Sequence, residues 1–301
     1  MISSLDPSSL AFLNGIERIQ RRTDRAQREL TTGLRINIAS DDPSRIADLL
    51  STRARLNHNT QVNSNLDQVK AEVDTSEGAL QSAVKLVERA QTLGVQAQTA
   101  FSNADSRNDI ATELGGVLQQ LVALSNTTVQ GRYIFSGDSD QRPAYSLDLT
   151  KNSAIGAYSG SSSTRQVELP DGSLGAVAKT AHELFDSSNP NENAFQSVND
   201  LRVALLNNDQ TGLEAALSKL GGAGNYLNGQ LSFYGTVQTS IANARESGSA
   251  IELQLRTQLS GIEDADLTQA ITDFQLAINN QQAALQSRAK LPHTSLFDFL
   301  A

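Results

Sequence analysis

The stretch "LTTGLRINIASDDPSRIADLL", Leu30 to Leu50, lies between two helical patterns, and its reading decides the fold. A Gly, two adjacent Asp and a Pro interrupt good helix formers there, so one helix is expected to stop near Gly33 and a longer one to start at Pro43. Pro43 has no amide hydrogen and a φ near the helical value, which suits the first helical position. It also moves the preceding residue out of the helical region, the geometry that an N-cap requires. Asp42 is then the cap, accepting from a first-turn amide, and Asp41 adds negative charge at the positive end of the helix dipole. No His or further carboxylate stands at ligand spacing beside the pair, so this is a helix start and not a metal site.

Outward from this seam the chain is periodic. Ile16, Ile19, Thr23, Ala26, Leu30 and Gly33 recur at alternating spacings of three and four. The same rhythm runs from Leu66 through Val69, Val73, Leu80, Ala83, Val87 and Ala90 to Ala97, and again from Ile110 to Thr128. Such stripes mark helices that pack lengthwise. No Pro occurs from Ser44 to Ala100; a helix of that extent would be roughly 85 Å long at 1.5 Å per residue. Ala, Ser, Thr and Gly fill many seam positions and bury little area each, so a lone pair of these helices would be weak.

The rhythm changes at Gly131, read as the C-terminal cap of the third helix. "RYIFSG" is rich in β-formers, and Pro170-Asp171-Gly172 separates two short strand-like runs, a hairpin signal. Residues 132–180 are read as a β-rich insertion, with Tyr133, Ile134 and Phe135 anchoring it. Two short amphipathic helices follow, joined to a longer one by a turn at "LGGAGN", residues 220–225. From Asn225 to Leu291 no Pro occurs, and a last stripe runs through Leu267, Ile271, Phe274, Ile278, Gln281 and Leu285. The chain closes on "SLFDFLA", with Leu296, Phe297 and Phe299 clustered.

The expected fold is therefore mainly α: a long antiparallel helical rod with coiled-coil-like terminal helices and a small β-rich insertion at the tip. A chain that leaves as a rod and returns along itself brings its termini together. Composition agrees, since only 5% of the 301 residues are aromatic and there is no Trp, which favours thin aliphatic helix layers over a thick core. With no Cys, disulfides and thiolate metal sites are excluded. A net charge of −9 argues against a general nucleic-acid binder or a partner of anionic membranes. The N-terminus lacks a secretory signal pattern, and no apolar run is long enough to span a bilayer.

Other chemistry is weakly represented. Arg18, Arg21, Arg22, Arg25 and Arg28 form a basic face, but Glu17 and Asp24 lie four residues before Arg21 and Arg28, and no interleaved aromatic could stack bases. A solvated or subunit-contacting face is the preferred reading. His58, His182 and His293 are scattered without metal spacing, and Glu72, Asp74 and Glu77 read as a solvated helix face. No phosphate loop, nucleophile elbow or acid/base pair occurs, so no enzyme and no cofactor is expected.

The motifs taken together resemble the bacterial flagellin family. "ELTTGLRINIASDDPSRIADLL" is similar to its N-terminal motif, and "SDDP", "GRYIFSG" (Gly131, Arg132, Tyr133, Ile134, Phe135 onward), "ELFDS" and "SLFDFL" are more like subunits that join hook to filament than filament subunits. The resemblance covers residues 1–140 and 180–301. It implies a ring-forming structural subunit at the hook–filament junction, with hook-associated protein 1 and flagellin as partners. It also implies type III export in an unfolded state, with an export chaperone. Residues 1–40 with 265–301 would form a terminal coiled-coil assembly domain, 41–131 with 181–264 a rod domain, and 132–180 the outer insertion. Short isolated helices are marginal in water, so the terminal domain is expected to be disordered in the monomer and to fold on assembly. Its assembly contacts are expected at Ile16, Ile19, Ala26, Leu30, Leu267, Ile271, Phe274, Ile278, Leu285, Leu296, Phe297 and Phe299. A short filament flagellin is the alternative, and a cytosolic coiled-coil adaptor a more remote one.

Overall fold

A computed structural model describes residues 7–99 and 103–289. It is mainly helical: α1 (Pro7–Thr32), α2 (Ile46–Thr99), α3 (Ala104–Ser125), α4 (Ala181–Phe185), α5 (Ala194–Leu206), α6 (Gln210–Glu263) and α7 (Leu267–Ala289). Between α3 and α4 lie four short strands, β1 (Thr128–Val129), β2 (Arg132–Tyr133), β3 (Gln166–Glu168) and β4 (Leu174–Ala176), paired as two antiparallel hairpins. The chain forms two compact units, residues 59–250 and residues 1–58 with 251–301, whose boundary falls inside α2 and α6.

In the unit of residues 59–250, the α2 stripe from Val62 to Ala97, the α3 stripe from Ile110 to Val122, α5 and α6 as far as Ala244 supply one apolar core. α3 and α5 pack against each other. Polar side chains start the helices as capping chemistry requires. Asn103 accepts from Asp105 N and Ser106 N, Thr180 and Glu183 form a capping box, Asn193 caps α5, and Asp209 accepts from Gly212 N at 3.0 Å.

The insertion is held by rings rather than by its short strands. Phe135, Phe185 and Phe195 are buried with ring centroids 6.0 and 5.5 Å apart, and Tyr145 packs on Phe195 at 5.0 Å. Phe135 thus anchors the insertion, as expected of the "RYIFSG" run, while Tyr133 and Ile134 are half-buried. Burial and a hydrogen bond to Asp186 Oδ2 push the Tyr145 hydroxyl pKa far above its ordinary value.

Several sequence expectations are corrected. Gly131 does not cap α3, which ends at Ser125; Gly131 (φ 77°) and Gln130 (φ 52°) form the two-residue turn between β1 and β2. The reason is long-range: the Asn126 side chain donates to Tyr145 O at 2.8 Å and accepts from Tyr145 N at 3.1 Å, which draws the chain out of the helix. The Pro170–Gly172 hairpin is present, with Gln166 opposite Ala176.

The turn expected at residues 220–225 is helical instead, and α6 runs unbroken from Gln210. Leu213, Ala216, Leu220, Ala223 and Leu227 continue one buried stripe through it. Gly222 serves close approach, because a Cβ there would collide with the Asn191 carbonyl oxygen.

Glu72 is no solvated residue either: its side chain is 15% exposed and pairs with Arg132 (3.1 Å) and Arg165, which also face Asp140. Glu77 accepts from Gln238 Nε2 at 2.6 Å, as does Asp74 at 3.0 Å.

Candidate assembly surface

The other unit, residues 1–58 with 251–301, has thin packing. α1 and α7 lie side by side. Their directions oppose, since Arg288 Nη2 donates to Ser9 Oγ at 2.7 Å at one end and Ala265 N donates to Gly33 O at 2.9 Å at the other. Gly33 ends α1 in a left-handed conformation (φ 72°), accessible to glycine without a Cβ clash, with its amide bonded to Glu29 O.

The seam between the two helices is narrow. Among the described side chains only Ala26 on α1 and Ala270 and Ala277 on α7 are buried, while Ile16, Ile19, Leu30, Phe274 and Ile278 are half-buried. Leu267, Ile271 and Leu285 are 50%, 48% and 53% exposed. The within-chain seam runs through Ala270, Ala277 and the half-buried Gln281 and Ala284, so Leu267, Ile271 and Leu285 of the α7 stripe lie off it. Leu10 and Leu13 are likewise 46% exposed. Leu296, Phe297, Phe299 and His293 lie outside the described residues.

At the seam Asp41, Asp42 and Pro43 act differently from a simple cap. α2 begins at Ile46, three residues after Pro43, and Leu49 N bonds to Arg45 O. The Asp41 carboxylate turns back and accepts from Asn37 N and Ile38 N, both at 2.9 Å, so it stabilises the preceding loop. Asp42 accepts from Ser44 Oγ at 2.6 Å and faces Arg35 and Arg45. Arg35 continues the tie, donating from N to Glu263 O and from Nη2 to Ile262 O, each at 2.6 Å. Arg53 adds an ion pair to Glu263. The α1–α2 loop and the α6–α7 joint are thereby fastened together, contacts that no local spacing reveals.

The Ser44 hydroxyl, helped by the Arg35 and Arg45 guanidiniums, holds the Asp42 carboxyl below its ordinary pKa. A lowered folded-state pKa contributes stability above the unfolded value near 3.8 that is lost as pH falls through the folded value. Amide exchange at residues 37–45 should therefore stay constant from neutral pH to about pH 5, after correction for intrinsic rates, and speed up below about pH 4. Unchanged protection at pH 3 would show that Asp42 does not secure the loop.

No three His, Asp or Glu side chains gather as a metal site among the described residues. No helix there is long and apolar enough to cross a membrane. His182 stacks on Tyr158 and lies 3.5 Å from Asp186. The Arg25 guanidinium, bonded to Glu29 at 2.9 Å, has its pKa raised further by that contact.

The paired helices α1 and α7 leave Leu10, Leu13, Leu267, Leu276 and Leu285 about half exposed, a surface on which further helices could pack. Residues 4–140 match the bacterial flagellin N-terminal helical region. Flagellar hook-associated protein 3 of Salmonella typhimurium is 25% identical over 300 residues, 92% of each chain. Flagellin of Bacillus subtilis is 26% identical over 281 residues, 88% of this chain and 89% of the relative. Among solved structures, flagellar hook-associated protein 3 from Legionella pneumophila shares the fold, with a TM-score of 0.62 at 15% identity over 70% of this chain and 97% of that one.

Proposed function

We propose that this chain is a structural subunit of the bacterial flagellum at the junction between hook and filament. The similarity to hook-associated protein 3 along 92% of both chains supports this reading, and the half-exposed Leu267, Ile271 and Leu285 supply the physical need for neighbours. Residues 1–40 with 265–301 act as the assembly domain. Copies close into a ring between hook-associated protein 1 and flagellin, after export through the flagellar type III channel with a chaperone. No catalytic chemistry is assigned to it.

A tagged chain expressed in a flagellated cell should appear by electron microscopy as a band at the hook–filament boundary. Label along the whole filament would instead establish the filament subunit, a reading that the Bacillus subtilis flagellin similarity keeps in view. Label confined to the cell interior would overturn both.

The assembly domain predicts its own signature in the free chain. Among the described side chains of α1 one alanine is buried, whereas α3 buries nine of its 22 residues. Amides of residues 10–30 should exchange orders of magnitude faster than those of 110–122 in the monomer, and slow markedly on assembly. Equal protection of both segments in dilute solution would mean that the terminal pair needs no neighbour.

A further inference from the structure

Along α5, Gln196, Asp200, Val203 and, at the C-cap, Asn207 recur at helical spacing and line a groove of about 660 Å³. The start of α6 contributes Asp209, Ala215 and Lys219, and the loop of residues 152–156 completes the lining. The groove lies wholly within the unit of residues 59–250. Its volume is in the range of small-molecule sites.

Buried polar side chains hold this groove in shape. Asn199, 8% exposed, donates from Nδ2 to Asn152 O at 2.7 Å. Arg202, equally buried, donates from Nη2 to Lys151 O at 3.2 Å, so the loop is fastened to α5. Asn193 donates from Nδ2 to Asp186 Oδ1 at 2.7 Å and to Ser187 O at 3.1 Å, while its Oδ1 accepts from Gln196 N. Burying such groups is costly unless they are bonded, and here their bonds position a surface loop and the start of α5. Walls fixed in this way receive a ligand without the entropy cost of ordering themselves.

The charges of the groove are already answered within the chain. Asp186 accepts from Tyr145 Oη at 2.9 Å and from Asn193, Asp200 pairs with Lys219 at 3.0 Å, and Asp209 accepts from Gly212 N at 3.0 Å. No carboxylate there lacks a donor and so draws a cation, and three carboxylates against one ammonium repel an anion. The open groups are neutral. Asn152, Ser153, Gln196 and Asn207 are exposed, and their side chains make no hydrogen bond among the described residues. Each of these side chains both donates and accepts. Beside them Val203, Ala204, Ala215 and Ala216 form a short apolar ledge. A sugar ring has the matching chemistry, with hydroxyls that donate and accept and C–H faces that lie on small aliphatic groups. An extended peptide also donates and accepts, but its alternate side chains need pockets that alanines do not provide.

We propose that this groove binds a short neutral oligosaccharide. Its hydroxyls meet the amides of Asn152, Gln196 and Asn207 and the Ser153 hydroxyl, and its rings rest on Val203 and Ala215. Gln196 and Asn207 stand eleven residues apart, roughly 16 Å at 1.5 Å per residue, so the site takes a few linked rings rather than one. The inference stands on residues 59–250 alone and does not draw on the junction reading.

The test uses the full chain and a panel of neutral trisaccharides of glucose, galactose, mannose and N-acetylglucosamine, with sialyllactose, spermidine and tetra-alanine as contrasting probes. Saturation-transfer NMR should show at least one neutral trisaccharide bound and the contrasting probes unbound. Gln196→Ala and Asn207→Ala should each weaken that binding by up to about tenfold, the effect of one net hydrogen bond. Ala215→Trp, on an exposed position, should fill the groove and abolish binding. All three substitutions should leave the circular dichroism unchanged. No neutral trisaccharide bound at about 10 mM, ten times a millimolar Kd, would overturn the proposal. Preference for spermidine, sialyllactose or tetra-alanine would overturn it as well, and sugar binding indifferent to all three substitutions would show that this groove is not the site. None of these results bears on where the chain is located in a flagellum, so the junction reading stands or falls separately.

Discussion

Leu285→Asp should leave the free chain folded and abolish its incorporation into the flagellum. Leu285 is 53% exposed and stands off the α1–α7 seam, so a carboxylate there meets water in the monomer and disturbs no core. In an assembly that covers the outer stripe of α7, the same carboxylate is taken out of water without a partner. Desolvating a charge against apolar surface costs several kcal/mol, which at 1.4 kcal/mol per decade is a loss of at least about a hundredfold in affinity. Incorporation on hook ends and the circular dichroism of the free chain should be measured together. Unchanged incorporation would show that the α7 stripe remains in solvent in the assembled state. Leu285→Met keeps the apolar surface and should incorporate normally.

The second large effect is expected in the other unit. Phe185→Ala should destabilise residues 59–250 by about 3–5 kcal/mol, the usual cost of removing a buried phenyl ring and leaving a cavity. Phe185 is fully buried, with Phe135 edge-on at 6.0 Å and Phe195 stacked at 5.5 Å. The ring joins the strand region after α3, about fifty residues earlier, to α4 and the start of α5. Its removal leaves Phe135 and Phe195 without their shared neighbour and opens a cavity between them. Denaturant unfolding followed by far-ultraviolet circular dichroism measures the loss. A change below about 1 kcal/mol would mean that the site relaxes around the gap and that the ring cluster is not what holds the insertion. Phe185→Leu should fall between, since it keeps most of the volume.

The two effects also separate by location. Leu285→Asp should alter assembly with stability unchanged, and Phe185→Ala should alter stability first. A chain that lost both properties with either substitution would have its two units coupled more tightly than their separate cores imply.

Most of the helical architecture was legible because it is written in local repetition. The three-four spacing from Leu66 to Ala97 appears in the structure as one buried face of α2, and Pro170-Asp171-Gly172 as the turn between β3 and β4. Expectations failed where a residue's role depends on something distant in the chain. Gly131 looked like a helix cap because Asn126's bonds to Tyr145 cannot be seen from its neighbours. The glycines at 221, 222 and 224 looked like a turn because glycine favours turns, yet Gly222 leaves room for the Asn191 backbone. Glu72 looked solvated because Arg132 and Arg165 reach it from 60 and 93 residues away.

The candidate surface divides in the same way. Its residues could be named from the stripes Ile16–Leu30 and Leu267–Leu285, since periodicity marks which positions share a helix face. Which part of that face its own partner would cover could not be named. Only packing showed that the seam within one chain passes through Ala26, Ala270 and Ala277, leaving Ile271 and Leu285 outside it. By itself the sequence determined where helices run, where they stop near Gly33, and that the terminal ones are under-buried, because backbone preference and hydrophobic period act over a few residues. Tertiary structure alone decided which flank of α7 faces α1, and how Asp41, Asp42 and Arg35 secure the joint. Those choices are made by volume and charge brought together from opposite ends of the chain.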